Sequence, residues 1–540
     1  MNKNKKIAIW LPVIIALSLA LGIFIGNHYL LLNKGFRQIY SGNNKISTIL
    51  DIIDRQYVDT VNMGNLIEET IPKIFSELDP HSSYIPAKYA EEVHDELEGS
   101  FSGIGVSFNM QSDTIIVISV ISGGPSEKAG LLPFDRIITI NDTVYAGKKF
   151  HQEEVIKKLR GQKNSTVRLG VQRGSSPKLI QFDVTRGEVP NYSVDVSYRV
   201  SEGIGYIKVT KFARTTYNEF ITAIAKLKQQ KCTGFIVDLR QNSGGYMDAA
   251  INMINEFLPD GKLIVYTEGK AFKRNDVYSN GTGTCIDAPL VVLVDELSGS
   301  ASEIFAGAIQ DNDRGLIIGR RTYGKGLVQT PIPLGDGSEL RLTIARYYTP
   351  SGRSIQKMYE MGKVEEYDMD LYNRYMHGEF DSADSIKIAD SLQYKTSTGR
   401  IVYGGGGIMP DLFIPRDTSH FTSYYINAHN SGVIYQYVLT YSDRERAKLS
   451  SFKNYQELYA YLSKQPLVED FANFAETKGI QKRPGLIQIS YQLLKQQLEA
   501  YIIRNFFDNN GFYPIFLKDD VALKKAVEVI KDGYWDPKRK

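Results

Sequence analysis

Two residues twenty-five positions apart carry the strongest chemical signal in this chain. Ser300 lies in LVVLVDELSGSASEIFAGAIQDN and Lys325 in TYGKGLVQ. The buried strand APLVVLVDE ends at Asp295–Glu296 and a helix begins near Ala301, so Ser300 falls at a strand-to-helix turn. Unpaired N–H groups at a helix start can stabilise an oxyanion. A serine nucleophile needs a base. No histidine lies between His151 and His377, and Lys325 is the only lysine between 290 and 345; a distant histidine stays formally open. The arginines nearby, Arg314, Arg320, Arg321 and Arg341, do not deprotonate usefully. A lysine can, if burial lowers its pKa from ~10.4 towards ~7–8.

Each residue also has a plainer reading. Ser300-Ala301-Ser302-Glu303 spells an S-x-x-E capping box, worth about 1 kcal/mol. Lys325 in its glycine turn reads as a solvated surface lysine. Gly319-x-x-x-x-Gly324-Lys325 starts like a phosphate-binding loop, but Gly326 stands where Mg²⁺ needs a hydroxyl and a strand follows, so nucleotide binding is not expected. In DLRQNSGG (238–245) the glycines allow close backbone approach to a substrate and a second oxyanion donor. Ser243 there is another candidate nucleophile, with no lysine or histidine close in sequence. His81, in LDPHSSYIP, lacks a partner His or Cys and reads as structural.

The elements that must position these groups follow from texture. Over 187–355 strands alternate with helices (IGYIKV, NEFITAIAKLKQQ, GFIVDLR, DAAINMINEFL, APLVVLVDE), which argues for an α/β layer fold. Residues 97–186 read as short strands and glycine turns around the amphipathic helix HQEEVIKKL. Residues 45–95 read as helical, with Ile46, Ile49, Leu50 and Ile53 at three- and four-residue spacing, until the two prolines of LDPHSSYIP (78–86) break the pattern. Residues 356–400 look like an insertion, and 418–537 are mainly helical.

Composition sets the outer bounds. A chain of 540 residues with 42% hydrophobic content predicts two to four modules. A net charge of +3 gives no reason to expect nucleic acid. The two cysteines, Cys232 and Cys285, are isolated, which argues against a zinc cage; they read as small buried hydrophobes or as a disulfide in an oxidising compartment. Residues 7–26 are uncharged and mostly apolar, and such a run spans roughly 30 Å as a helix. With Lys3, Lys5 and Lys6 before it, it predicts an anchor with a cytoplasmic N-terminus. The alternative is a cleaved signal peptide, although no clean A-x-A site follows. Both place the bulk of the chain outside that membrane.

The ordered set LDPHSSYI, FSGIGVSF, GYIKVTKF, DLRQNSGG, SGSASEIFAGAIQDN and TYGKGLVQ resembles the C-terminal processing peptidases, or tail-specific proteases, of bacterial envelopes and chloroplast lumens. The resemblance covers about 45–355 plus GGIMPDLFIP. It implies a serine–lysine mechanism with Ser300 as nucleophile, Lys325 as base and Gln329 orienting the lysine amine. It implies Ala301 and Gly244 N–H as oxyanion donors, with Gly245 the alternative to the latter, and attaches an accessory role to Asp311. Residues 97–186 look like the family's PDZ domain, whose carboxylate nest matches Gly103-Ile104-Gly105-Val106. Ile156 and Leu159 are expected to line its side-chain pocket. Two positions depart from the family: Phe134 where glycine is usual before Asp135, and Ser243 where proline is common.

The expected architecture is therefore α/β. A cytoplasmic stub and transmembrane helix (1–26) precede a helical segment (45–96). An inserted, mainly β PDZ domain (97–186) leads into a crotonase-like protease core (187–417, with 356–400 inserted). A helical extension (418–540) ends the chain. The expected function is a serine endopeptidase acting on envelope proteins at their apolar C-terminal tails. No cofactor or metal is expected. Its setting is the periplasmic face of a bacterial inner membrane, with a homo-oligomer or an adaptor protein among its partners. The competing class is a catalytically silent membrane-anchored PDZ scaffold.

Overall fold

The computed structural model describes residues 16–25, 45–111, 113–174, 176, 178–387 and 390–533. Residues 16–25 are helical, and the rest of the expected membrane span 7–26 lies outside the described residues. Among the described residues no helix is long and apolar enough to cross a membrane. The chain divides into two compact units at residue 78. In the first, helices Lys45–Gln56 and Met63–Ser76 carry the periodic apolar residues, and neither fully buries any residue.

The second unit is built on a six-stranded sheet. Its strand order is Val194–Ser201, Ile204–Val209, Gly234–Asp238, Leu290–Val294, Leu316–Gly319 and Leu412–Phe413. The first pair is antiparallel and the remaining pairs are parallel. A sheet buried on both faces needs near-continuous apolar strands, and GFIVD and LVVLV are buried throughout. Alternation sorts their side chains: Phe235 and Val237 join Phe220, Ile254 and Phe305 on one face, and Ile236 joins the other.

That second face is covered by the chain's last described helix, Val521–Lys531, through Leu523, Ala526 and Val529. The end of the 418–540 helical extension thus packs on the protease sheet. Its other helices enclose a core of their own around Tyr437, Phe471, Leu494 and Leu498.

A second sheet pairs strand Glu339–Tyr348 with Leu327–Pro333, Leu263–Glu268 and the short strand Ser83–Ile85. This last strand falls within LDPHSSYIP (78–86), where the prolines break the helical pattern, and helix Ala87–Glu98 follows it. Over 97–186, a six-stranded antiparallel sheet running from Val106–Gln111 to Ile180–Thr185 encloses Ile115, Val117, Leu169 and Val184. The 356–400 stretch is fastened rather than loose. Arg374 pairs with Glu379 and donates to the carbonyls of Arg321 and Thr322, just before Lys325. Cys232 and Cys285 are buried free thiols.

Candidate active site

Ser300 is the N-cap of helix Ala301–Asp311, every residue of which is buried. Its backbone has φ +54°, a conformation that costs a non-glycine residue energy and that clusters at functional turns. Of the capping box spelled by S-x-x-E, the Glu303 half is built, its carboxylate accepting the Ser300 N–H. Much of the capping is done by main-chain atoms, since the Ser300 carbonyl accepts the N–H of Glu303 at 2.8 Å and of Ile304 at 3.0 Å. Capping and chemistry are therefore compatible at this residue.

Glu303 does more than cap. It is fully buried, yet its carboxylate accepts four donors: Ser300 N–H (2.8 Å), Lys325 N–H (2.9 Å), Gly324 N–H (2.7 Å) and the Thr322 hydroxyl (2.5 Å). Burial pushes its pKa up to about 7, against the pull of those donors. The Tyr347 phenol lies against the carbonyls of both Ser300 (3.1 Å) and Lys325. The signal was present in the sequence: a glutamate on a helix that is apolar on every side has to be hydrogen-bonded where it stands.

One cavity of about 310 Å³ is lined by Ser300, Lys325, Gln329, Gly244 and Gly245, together with residues of helix Ala87–Glu98. Lys325 is held below its ordinary pKa, first by burial and then by the Arg341 guanidinium, with Glu303 and Asp79 opposing. The same cavity admits a second lysine, Lys211, distant in sequence, whose pKa burial also lowers. His81 donates to or accepts from the Tyr367 hydroxyl at 2.8 Å, and burial drives its pKa down to about 4. It lies within electrostatic reach of Lys325, a proximity that its lone position in the sequence did not reveal.

Two expected site residues are held by partners that the sequence did not announce. The Gly244 N–H is donated to Asn242 Oδ1 at 2.9 Å, so its use as an oxyanion donor requires breaking that bond. Gly245, next in the chain, lines the cavity as well. Gly244 itself has to be glycine: at φ +112° a Cβ would stand 2.6 Å from Ser300 Cβ. Asp311 does not line the cavity. It ends the helix that Ser300 begins, about 15 Å along at 1.5 Å per residue. It is buried there in a 2.6 Å ion pair with Arg353, and its other oxygen accepts Ser351 N–H.

In the 97–186 region a smaller cavity of about 190 Å³ is lined by Gly103, Ile104, Gly105 and Val106 with Ile156 and Leu159. The glycine-loop residues and the two helix residues therefore line one cavity. Phe134 takes φ +68° and is 2% exposed. Its ring meets Phe506 (5.8 Å between centroids) and lies under Arg446 (5.0 Å), both in the C-terminal helices.

Residues 203–363 match peptidase family S41, residues 102–184 match the PDZ domain, and residues 424–508 match a family of unknown function (DUF8443). The chain is 38% identical over 319 residues to the carboxy-terminal-processing protease of Bartonella bacilliformis, covering 58% of this chain and 72% of that one. It is 33% identical over 317 residues to the carboxy-terminal processing protease CtpB of Bacillus subtilis, covering 58% and 65%. Among solved structures it is similar to a photosystem II D1 C-terminal processing protease, at 24% identity and a TM-score of 0.35, over 68% of this chain and 91% of that one. The chain belongs to peptidase family S41, the serine-type carboxy-terminal processing proteases, and carries a PDZ domain.

Proposed function

We propose that the chain cleaves proteins at or near their C-terminal tails by a Ser300–Lys325 dyad. The observation that carries this reading is the single cavity that Ser300, Lys325 and Gln329 share, with burial depressing the lysine. The neutral Lys325 amine takes the proton of the Ser300 hydroxyl as its oxygen attacks the scissile carbonyl carbon. The oxyanion faces the N–H groups of Ala301 and Gly245. The lysine then returns the proton to the leaving amine, and a water activated by the same amine hydrolyses the acyl-serine.

The tail reaches this cavity from the PDZ groove. Its free carboxylate occupies the nest of Gly103–Val106 backbone and its apolar terminal side chain occupies the pocket of Ile156 and Leu159. Helix Ala87–Glu98 borders both places. Asp95 pairs with Arg160 at the groove, while Val93 and Leu97 line the Ser300 cavity. The apolar run 7–26 after three lysines supports a membrane-attached, envelope-facing setting with envelope proteins as substrates.

The test is proteolysis of an unstructured protein by Ser300→Ala, Lys325→Ala, Lys325→Arg and Lys211→Ala. The first three are expected to be inactive and the fourth active. Activity retained in Lys325→Arg, or lost only in Lys211→Ala, moves the base away from Lys325. Amidating the terminus of an apolar-ended peptide is expected to slow its cleavage, and equal rates exclude carboxylate sensing.

A further inference from the structure

Strand Glu339–Tyr348 lies between Leu327–Pro333 and Ser83–Ile85, and the register places Thr343 directly opposite Gln329. A register shift falls between Val328 and Gln329, the kind of irregularity that re-aims a side chain. Gln329 Nε2 donates to Thr343 Oγ1 at 3.3 Å, and the Thr343 hydroxyl donates to Asp79 Oδ1 at 2.9 Å. Asp79 comes from the LDPHSSY segment, 264 residues away in sequence. It is itself held by His81 N–H (2.9 Å), Ser82 N–H (3.0 Å) and the Ser82 hydroxyl (2.5 Å), and the Ser82 oxygen accepts Thr343 N–H at 3.0 Å.

The polarity of this chain runs one way. An ionised carboxylate only accepts, so the single Thr343 proton goes to Asp79. The Thr343 oxygen can then only accept from Gln329, which fixes the carboxamide with its NH₂ towards Thr343. Its carbonyl Oε1 is thereby left as the free acceptor of a side chain that lines the same cavity as Lys325. Asp79 stays ionised because its hydrogen bonds outweigh its burial, and its charge is felt at Lys325.

We infer that Asp79 and Thr343 are positioning residues for catalysis: they set the orientation of the Gln329 carboxamide so that its carbonyl, not its NH₂, is offered to the Lys325 amine. Without the relay, Thr343 can donate to Oε1, the carboxamide turns over, and the lysine faces an N–H donor. This inference rests on the Ser300–Lys325 reading.

The test compares pH–rate profiles of the full chain on fluorescently labelled β-casein for wild type, Thr343→Val, Thr343→Ser, Asp79→Asn and Lys325→Ala. Thr343→Val keeps shape and removes the hydroxyl. It is expected to lower kcat about tenfold or more with KM unchanged. It also moves the rising limb to lower pH, because an ammonium that loses an acceptor gives up its proton more readily. Asp79→Asn moves both quantities the same way, and Thr343→Ser restores them. A Thr343→Val enzyme within about twofold of wild type, its limb unmoved, overturns the relay if Lys325→Ala is inactive. If Lys325→Ala is as active as wild type, the dyad reading fails instead. Should the valine variant not fold, Thr343→Ala, which also removes the hydroxyl and keeps Asp79, decides by the same limb and the same kcat.

Discussion

Ser300 and Lys325 are bonded to one oxygen atom: Glu303 Oε2 accepts the main-chain N–H of both, at 2.8 and 2.9 Å. The turn that carries the nucleophile and the glycine loop that carries the base are therefore held at a fixed separation by a side chain one helical turn inside the protein. Preorganisation of this kind contributes to rate because the groups need not be assembled at the moment of reaction.

Replacing Glu303 by glutamine tests this. A carboxamide has one accepting oxygen, so its NH₂ must face either the Ser300 and Lys325 N–H pair or the Gly324 and Thr322 pair. Leaving such buried donors unmatched costs about 1–3 kcal/mol. The expected outcome is a folded protein of lower melting temperature and strongly reduced kcat. Stability against pH gives an independent check. A carboxyl whose pKa is raised from 4.5 to about 7 on folding stabilises fully below pH 4.5, and that contribution is lost as pH rises through 7. The glutamine variant is expected to lack this fall in stability, measured by denaturant titration at several pH values.

The rate is expected to rise with pH through a midpoint below 10.5, because burial holds Lys325 under its ordinary value. Arg341 adds to that depression, so Arg341→Gln is expected to move the midpoint to higher pH. This is the opposite direction to the shift from Thr343→Val. A midpoint unmoved in Arg341→Gln means that the guanidinium does not act on the titrating group.

Asp311 separates a structural acid from an accessory one. Its side chain and that of Arg353 are both 0% exposed, in a 2.6 Å ion pair. Asp311→Asn leaves a buried guanidinium unpaired, a loss of about 3–5 kcal/mol. The expected outcome is a large drop in unfolding midpoint with kcat of the remaining folded enzyme unchanged. A selective loss of kcat at unchanged stability would return Asp311 to the chemistry.

The residues that could be read in advance are those whose meaning is local. Ser300 stands at a strand-to-helix turn, Lys325 in a glycine loop and Gly103–Val106 in another; each place is spelled by consecutive residues, while the roles offered for them came from the family resemblance. The α/β alternation was legible for the same reason, since GFIVD and LVVLV announce their burial by themselves. What escaped depends on distant partners. Lys211 enters the Ser300 cavity, and Asp79 reaches Thr343, only because sheet pairing brings remote segments together. Val521–Lys531 reads as an ordinary amphipathic helix, and nothing in its period says that its apolar face covers the protease sheet. Gly244 and Asp311 matched family positions by order alone, and order does not reveal that Asn242 and Arg353 hold them.

Phe134 shows how a departure from family pattern can be interpreted once its neighbours are known. It lies outside the PDZ core around Ile115, Val117 and Leu169, yet it is 2% exposed, because the C-terminal helices cover it. Phe506 meets its ring and Arg446 lies over it. Beside it Arg136 pairs with Asp443 at 2.7 Å, and Asp443 also pairs with Arg446 at 3.0 Å. A cavity of about 760 Å³ along this seam is lined from both sides, by Phe134 and Arg136 and by Leu439 and Asp443. Two opposing effects then act on Phe134→Gly. Glycine relieves the left-handed backbone, worth about 1–2 kcal/mol. Loss of a buried aromatic side chain costs about 3–5 kcal/mol, but only where the ring is covered. In the full chain the loss is the larger effect, so the variant is expected to be destabilised by about 1–4 kcal/mol. Hydrogen exchange should then rise on both sides of the seam. In a fragment spanning 97–186 the ring is uncovered, only the backbone relief remains, and the same change is expected to be neutral or stabilising. Destabilisation of equal size in both proteins would place Phe134 in the PDZ core and remove it from the seam.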